Sequence, residues 1–362
     1  MSASPPYRVI AWGTGAIGTE LLTAIIDHRP DLQIVGARVY SPDKDGADVG
    51  SLAGRSPIGV TATTDVDAVL ALAADCVLYT PRNTGIDEVC AILNSGKNVV
   101  TTAFLFHPHR IDADDRNRLL AACQAGGSSV HGSGLNPGNL SGVLPLALSG
   151  MSRTIDRITL QERADWSFYD STSITFDNMA FGQPVQSISP TTTDFLAFNS
   201  GIFSNEVWLL ADALNADIDE VTATVEAVAA RADHQIFERT LPAGTTAGQR
   251  WRWAGRRGDD TLIEIEALWT VGGEYPTHWP KPQHGWTLTI DGDPTMRTHF
   301  LVMAGSPSAS MHEHVTASNV ATAMQILNAV PAVCAAPTGF ATMADLPLIR
   351  SVTGFRKNGD GR

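Results

Sequence analysis

Residues 7–18 read Tyr-Arg-Val-Ile-Ala-Trp-Gly-Thr-Gly-Ala-Ile-Gly, an apolar run that ends in three spaced glycines. Leu21, Leu22, Ile25 and Ile26 follow at helical spacing. Strand, glycine turn and amphipathic helix in this order leave few folds open, because each glycine has its own reason to lack a side chain. Gly13 permits the tight turn, Gly15 lets the backbone approach a pyrophosphate, and Gly18 lets the helix pack on the strand. The free N–H groups and positive end of the helix then face the phosphates. Thr14, Ala16 and Ile17 complete the expected cofactor loop. The alternative is an ordinary strand–helix turn that holds no ligand.

Further strands are expected at 32–40, 75–79, 98–102 and 128–131, and helices at 64–73, 86–95 and 112–125. Repeated βα units with short links predict an α/β Rossmann-type N-terminal domain, a parallel sheet with helices on both faces. Ligands in such sheets bind at the carboxyl ends of the strands, here the loops after Trp12, Tyr40, Tyr79, Thr102 and His131. The pattern changes near residue 150. A strand at 153–164, of antiparallel character, is followed by a mostly helical stretch at 190–215. Strands follow at 221–231, 235–241, 249–254, 261–271, 285–291 and 296–303. This predicts an α+β C-terminal domain with a mostly antiparallel sheet. An apolar helix at 316–329 precedes a polar tail after Gly354. The expected domains are 1–140 for dinucleotide binding, 141–310 for substrate binding and dimerisation, and 311–362 as a helix and tail packing back on the first.

The 362 residues are 43% hydrophobic, enough for a large core, and the net charge of −13 argues against nucleic-acid or anionic-membrane partners. No apolar run approaches the roughly 20 residues that span a bilayer, and the N-terminus lacks the regions of a signal peptide. Cys76, Cys90, Cys123 and Cys334 form no CxxC pair. They are expected as reduced thiols in a cytoplasmic protein.

An acid about 20 residues past the last glycine marks NAD-binding sheets. Here that stretch reads Arg38-Val39-Tyr40-Ser41-Pro42-Asp43-Lys44, with no acid at the strand end. Ser41 can donate to a 2′-phosphate that Arg38 or Lys44 neutralises. NADP(H) is therefore the expected cofactor and NAD(H) the alternative, which Asp43 would favour by turning in. Thr80-Pro81-Arg82-Asn83-Thr84 and Thr101-Thr102-Ala103-Phe104 leave the next two strands. Their small hydroxyl residues suit a ribose and carboxamide, or simply cap the following helices. Asn136, in the Ser133-Gly134-Leu135-Asn136-Pro137-Gly138 turn, is placed to orient a ligand, unless the turn is only an interdomain connection.

Trp166-Ser167-Phe168-Tyr169-Asp170 is the best substrate-facing segment. Tyr169 can donate a phenolic proton to a carbonyl oxygen, with Trp166 and Phe168 as apolar walls, or it is a core or interface aromatic. Met179 and Phe181 extend the pocket or belong to the core. Glu162 and Asp165 are acids close to Trp166, either of which is able to manage a proton if it avoids solvent. His107 and His109 are expected to face solvent. His312-x-His314 has no partner cluster, so no metal site is expected. Trp251 and Trp253 share one face of a strand, for sheet packing or a dimer interface. The rigid Trp279-Pro280-Lys281-Pro282 loop covers a cleft or decorates the surface.

The glycine turn, the Asn136-Pro137-Gly138 segment, Ala243-Gly244-Thr245-Thr246-Ala247-Gly248-Gln249-Arg250 and the run from Leu327 through Asn328, Ala329, Val330 and Pro331 to Pro337 occur together. In this the chain resembles the dihydrodipicolinate-reductase-like group that holds 2,4-diaminopentanoate dehydrogenases and native amine dehydrogenases, over nearly its whole length. The resemblance implies a homodimer, a two-domain architecture and NAD(P)H-dependent reductive amination of a small ketone or aldehyde with ammonia. Two features depart from it. The paired histidines, lysine and Ser-Gly-Thr loop of the dihydrodipicolinate reductases are absent. The glutamate that amine dehydrogenases carry shortly after the equivalents of Thr101-Thr102 is also absent, and Phe104 occupies that stretch. A carbonyl or imine reductase that needs no ammonia, or a non-catalytic nucleotide-binding protein, is the alternative expectation.

Overall fold

The computed structural model describes residues 5–352, apart from Asn83, Asp170, Glu274, Thr277 and 280–282. Of the residues named above, Asn83, Asp170, Pro280, Lys281, Pro282 and the tail beyond Gly354 lie outside the described residues. The chain divides into two compact units, one of residues 1–135 and 319–362 and one of residues 136–318.

The elements run β1 (Tyr7–Trp12), α1 (Ala16–His28), β2 (Leu32–Arg38), α2 (Val49–Leu52), β3 (Ala62–Thr63), α3 (Val66–Leu70), β4 (Cys76–Tyr79), α4 (Ile86–Asn94), β5 (Asn98–Thr101), α5 (Ala113–Gly126) and β6 (Ser129–Gly132). Then come α6 (Leu144–Ser149), β7 (Thr154–Asp165), α7 (Asp194–Leu214), β8 (Glu220–Ala229), β9 (His234–Ile236), β10 (Arg239–Leu241), β11 (Thr246–Arg257), β12 (Asp260–Thr270), β13 (Gly285–Asp293) and β14 (Met296–Phe300). The helix α8 (Met311–Cys334) and strand β15 (Gly339–Phe340) close the chain.

The first unit is a Rossmann-type α/β layer structure. Its seven strands lie in the order β15-β6-β5-β4-β1-β2-β3 and every pairing is parallel. The central strands β1, β4 and β5 are apolar runs buried on both faces, as helices above and below a parallel sheet require. One face packs Leu21, Leu22 and Ile25 of α1 together with Ala323, Ile326, Leu327 and Val330 of α8. Buried Arg29 ties the two helices, donating to Asp31 (2.8 Å), to Asn328 (3.1 Å) and to the Leu327 carbonyl. The other face packs Val89, Ile92 and Leu93 of α4 and Leu119 and Cys123 of α5.

The second unit carries a six-stranded sheet in the order β14-β13-β7-β12-β11-β8. All its pairings are antiparallel except β12 with β7, which run parallel. The strand read from the sequence as antiparallel in character, β7, pairs antiparallel with β13 and parallel with β12, within the mostly antiparallel sheet expected. The core lies between this sheet and α7. Thr193 caps that helix by accepting from the Leu196 N–H (3.0 Å), and Asn215 ends it in the left-handed conformation. Trp251 and Trp253 are core residues, stacked at 5.7 Å and satisfied by Gln249 and Ser200.

Three expectations change in detail. The single strand expected at 235–241 is a hairpin of β9 and β10, turned by Phe237 at φ +48°. No glycine or asparagine signals that turn. The helix expected at 64–73 shrinks to the short α3, capped by Asp65. His107 is buried while His109 is exposed, in a loop where Leu105 stands at φ +65°. All four cysteines are free thiols, and no described helix is long and apolar enough to cross a membrane.

Two buried polar groups anchor the turns that matter below. His131 of β6 sets Nδ1 2.6 Å from the Ala341 carbonyl, so the neutral ring donates its proton there, and burial lowers its pKa to about 4. Glu206 of α7 is fully buried, with the Gly138 N–H (3.4 Å) donating to Oε2 and the Ser141 hydroxyl bonded to the same carboxyl. Among the described residues its Oε1 has no partner, and burial pushes the carboxyl up to about 7.

Two predictions follow from this packing. A Cβ at Gly132 would stand 2.3 Å from the Phe104 carbonyl oxygen and 2.6 Å from Leu105 backbone, neither of which is a flexible side-chain end. Gly132→Ala should destabilise by about 1–3 kcal/mol or more in denaturant unfolding; an unchanged midpoint contradicts this crossing. For Glu206, the folded chain keeps the proton up to about pH 7 whereas the unfolded chain releases it near 4.5. The folded state binds more protons in that window, so this residue's contribution to stability falls as pH rises from about 4.5 to 7. Glu206→Gln should gain on the wild type by about 3 kcal/mol between pH 5 and 8 in unfolding titrations; a gap that does not grow with pH counts against the buried, unpaired carboxylate.

Candidate functional site

In the first unit the carboxyl ends of the parallel strands converge on the glycine turn. Gly13 adopts φ +97°, which a side chain rarely tolerates, and its N–H donates to the Arg38 carbonyl (2.9 Å). A Cβ at Gly18 would stand 2.1 Å from the Gly13 carbonyl oxygen, so α1 begins against the turn itself. A Cβ at Gly15 would meet nothing within 4 Å. Thr14 is buried, Gly15 and Ala16 are exposed, and Ile17 packs against the sheet core. The corner thus pairs a constrained base with an open crest.

Neighbouring loops brace the turn. Thr80 donates to the Gly13 carbonyl (3.3 Å), and the Pro81 nitrogen lies 3.3 Å from where a Gly13 Cβ would be. Lys44 donates from Nζ to the Thr14 carbonyl (2.9 Å) and hydroxyl (3.3 Å). Trp12 donates to the Tyr40 hydroxyl (3.2 Å), while Tyr40 and Tyr79 both donate to Glu88 of α4 (2.8 and 2.9 Å). This relay joins the ends of β1, β2 and β4 to a single helix. Burial and the Glu88 carboxylate hold the Tyr79 phenol proton on well above the ordinary range.

The positions read as a phosphate site divide. Ser41 donates to the Asp43 carboxylate, and Lys44 is committed to Thr14. Arg38 stacks its guanidinium 4.5 Å over the Tyr40 ring centroid, and its buried Nε and Nη1 have no hydrogen-bond partner among the described residues. Arg82 is exposed. Past β5, Thr101 is buried and accepts the Ala103 N–H (3.0 Å); Thr102 and Ala103 are half-buried. Phe104, 7% exposed, meets Tyr79 edge-on at 6.4 Å and belongs to the core.

The second unit gathers a separate polar cluster. Asn136 is extended (φ −154°) and Gly138 adopts φ +123°, open to glycine alone. The Asn136 amide donates to Glu162 of β7. Trp269 of β12 (2.8 Å) and Trp286 of β13 (3.1 Å) donate to the same carboxylate. Glu162 is 9% exposed, on the strand face of Ile158 and Leu160, and burial raises its pKa against the lowering effect of those donors. Asp165 instead caps the turn Trp166–Phe168 by accepting the Ser167 N–H (2.9 Å). Of the two acids weighed from the sequence, Glu162 is the buried one.

Trp166 stands 5.0 Å from Tyr169 and 6.0 Å from Trp269, so these aromatics sit beside the cluster. Its buried Nε1 and the buried Oδ1 of Asn136 have no partner among the described residues. Phe168 is half-buried. Met179 and Phe181, considered for the pocket, are each 1% exposed within the core. The structure therefore brings Asn136, Trp166 and Tyr169 into one neighbourhood and leaves Met179 and Phe181 as its packing. The sequence reading passed over Trp269, Trp286 and Glu206. No group of three metal-ligating side chains occurs among the described residues. Grooves of about 650 Å³ beside Ile25, Arg29 and Ile58 and of about 700 Å³ beside Leu214 and Arg257 contain none of these positions.

Comparisons with known proteins agree with this architecture. Residues 7–115 match the dihydrodipicolinate reductase N-terminal family, and residues 142–359 match the 2,4-diaminopentanoate dehydrogenase C-terminal domain family. An amine dehydrogenase of Streptomyces virginiae is 29% identical over 358 residues, covering 94% of this chain and 96% of that protein. The solved amine dehydrogenase of Mycobacterium smegmatis superposes with a TM-score of 0.75 at 20% identity, covering 96% and 98% of the two chains. The scyllo-inositol dehydrogenase of Lactobacillus casei, solved with bound NAD(H), has a TM-score of 0.54 at 15% identity, with 90% and 89% covered. The match to the C-terminal family spans more than half of the chain, which belongs to the 2,4-diaminopentanoate dehydrogenase family of amine-dehydrogenase-like oxidoreductases.

Proposed function

We propose that this protein is an NADP(H)-dependent amine dehydrogenase that converts small ketones or aldehydes and ammonia to amines, and deaminates amines in reverse. The observation that carries the cofactor half is Arg38. Its buried guanidinium donors have no partner among the described residues, at a strand end that lacks the ribose-binding acid of NAD sites. A 2′-phosphate matches such donors. The residues fit a dinucleotide in a second respect, since the crest at Gly15 has room for a diphosphate beside helix N–H groups.

When bound, the reduced nicotinamide supplies a hydride. The chain contributes the rest. Gly15 and Ala16 offer backbone N–H groups to the diphosphate, and Arg38 takes the 2′-phosphate. Thr80 and Thr102 present hydroxyls to ribose or carboxamide. Trp166 and Phe168 wall an apolar substrate, and Tyr169 holds a proton toward its oxygen. The overall balance is ketone, ammonium and NADPH to amine, water and NADP⁺. Support for amination comes from the amine dehydrogenase relatives. A carbonyl reductase is the second reading, favoured by the apolar Phe104 in the stretch where amine dehydrogenases carry an acid.

NADPH absorbance should fall when small ketones and aldehydes are supplied with excess ammonium, and hardly at all without it. Equal rates with and without ammonium would transfer the assignment to carbonyl reduction, and no turnover across a broad panel would leave nucleotide binding alone. Gly15→Val should remain folded, with a melting temperature lowered only by the poorer helix cap because a Cβ there meets no protein atom within 4 Å, yet lose NADPH binding in fluorescence titration. Arg38→Ala should weaken NADPH by about 10- to 100-fold, the worth of a charged hydrogen bond, and leave NADH nearly unchanged. Equal losses for both nucleotides would refute the role given to Arg38.

A further inference from the structure

The Glu162 cluster has acceptor capacity that the protein leaves unused. A carboxylate offers about four lone-pair sites. Trp269 fills one on Oε1, and Trp286 and Asn136 fill two on Oε2. One direction on Oε1 remains, and so does the whole of Asn136 Oδ1, which is buried and has no partner among the described residues. All three donors are neutral. Arg163, the adjacent cation, donates instead to the Glu162 backbone carbonyl (2.7 Å) and to Glu266 on the opposite face of the sheet. No ion pair to the Glu162 carboxylate occurs among the described residues. A carboxylate 9% exposed that receives no charged hydrogen bond among the described residues, with Arg163 acting on it only through space, is costly, and an acceptor without a donor adds to that cost.

We infer that Glu162 and Asn136 form a binding site for a primary ammonium group, the amine nitrogen of substrate or ammonium itself. Such a group brings a positive charge into direct hydrogen-bond contact with the carboxylate, which its neutral donors do not. It also brings several N–H donors on one atom, enough to fill Glu162 Oε1 and Asn136 Oδ1 together. A metal ion fits less well, because no third carboxylate, imidazole or thiolate joins the pair among the described residues. The three donors from Trp269, Trp286 and Asn136 fix the carboxylate in place, so the remaining lone pair points in one direction before a ligand arrives. Asn136 is itself held by the turn that Glu206 grips at Gly138. The assignment of this group to the substrate's nitrogen rests on the amination reading; the affinity for an ammonium group does not.

The test uses the full-length protein and methylammonium chloride, followed by calorimetry and tryptophan fluorescence, with tetramethylammonium chloride as the cation that has no N–H donor. The wild type should bind methylammonium and ignore tetramethylammonium. Glu162→Gln should weaken methylammonium by roughly 10- to 100-fold, at an unchanged NADPH dissociation constant that reports a folded chain. Asn136→Ala removes the second acceptor and should weaken binding in the same direction, a check that survives if the first variant fails to fold. In turnover, both changes should raise the KM for ammonium more than they lower kcat. No methylammonium binding by the wild type, equal binding of both cations, or equal binding by Glu162→Gln overturns the site. Methylammonium binding without any ammonium-dependent turnover supports the site and sinks the amination reading. Amination with an unaltered ammonium KM in Glu162→Gln does the reverse.

Discussion

The first unit depends on the absence of one side chain. The Gly13 carbonyl stands where a Cβ on Gly18 would be, so the first turn of α1 sits directly on the end of β1. That contact sets where the helix begins and aims its unpaired N–H groups past Gly15 rather than into the sheet. Everything around the corner is then bonded to it. Gly13 donates to the end of β2, Thr80 donates from the end of β4 and Lys44 reaches back to Thr14. An anion site made of backbone N–H groups is only as good as the rigidity of the backbone. Here rigidity comes from close packing at the base of the turn, while the crest remains open.

The second unit solves a different problem, the burial of charge in a sheet. Its two faces do so in opposite ways. On one, Glu266 is 2% exposed but paired to Arg163 and to Arg250 (2.6 Å), which neutralise it. Breaking such a pair exposes the partner's desolvation, a cost of about 3–5 kcal/mol. On the face that carries the core, Glu162 of β7 and Glu206 of α7, the helix packed on the sheet, have neutral donors only. Both hold the same three-residue segment, Glu162 through the Asn136 amide and Glu206 through the Gly138 N–H. A hydrophobic pair would stabilise this core more, so two carboxylates on one turn are better explained by what they position than by what they stabilise.

The layered plan was legible because its signal is local. Runs such as Cys76-Val77-Leu78-Tyr79 between helical segments can only be interior parallel strands, and the glycine spacing fixed the corner. Glu162 was partly legible as well. It continues the parity of Ile158 and Leu160, which places it on the buried face, whereas Asp165 is of the other parity. What escaped was non-local. Glu206 meets Gly138 across 68 positions, and Trp269 meets Glu162 across 107. Nothing in the spacing of either residue announces the encounter. The hairpin at Phe237 escaped for another reason, since it uses a left-handed residue that has neither glycine's freedom nor asparagine's local hydrogen bond.

Two of the segments that carried the family resemblance turn out to be largely structural. Asn328, in the late apolar run, accepts from Arg29 and pins α8 to the parallel sheet's flank. In the Ala243–Arg250 stretch, Gln249 is fully buried and bridges the Met179 carbonyl (2.7 Å) and the Trp251 indole (2.8 Å), while Arg250 pairs with Glu266. The side chains of Asn328, Gln249 and Arg250 are consumed inside the protein, although the buried Thr246 hydroxyl of the second stretch has no partner among the described residues. They testify to how the chain folds. Three of the side chains with unspent hydrogen-bonding capacity, Arg38, Asn136 and Trp166, lie outside those two segments. A motif that specifies a fold must satisfy its own polar groups, whereas a site that receives a ligand must leave some of them unsatisfied. The resemblance is thus carried partly by residues that only shape the fold and partly, at the glycine turn and Asn136, by residues of the proposed sites.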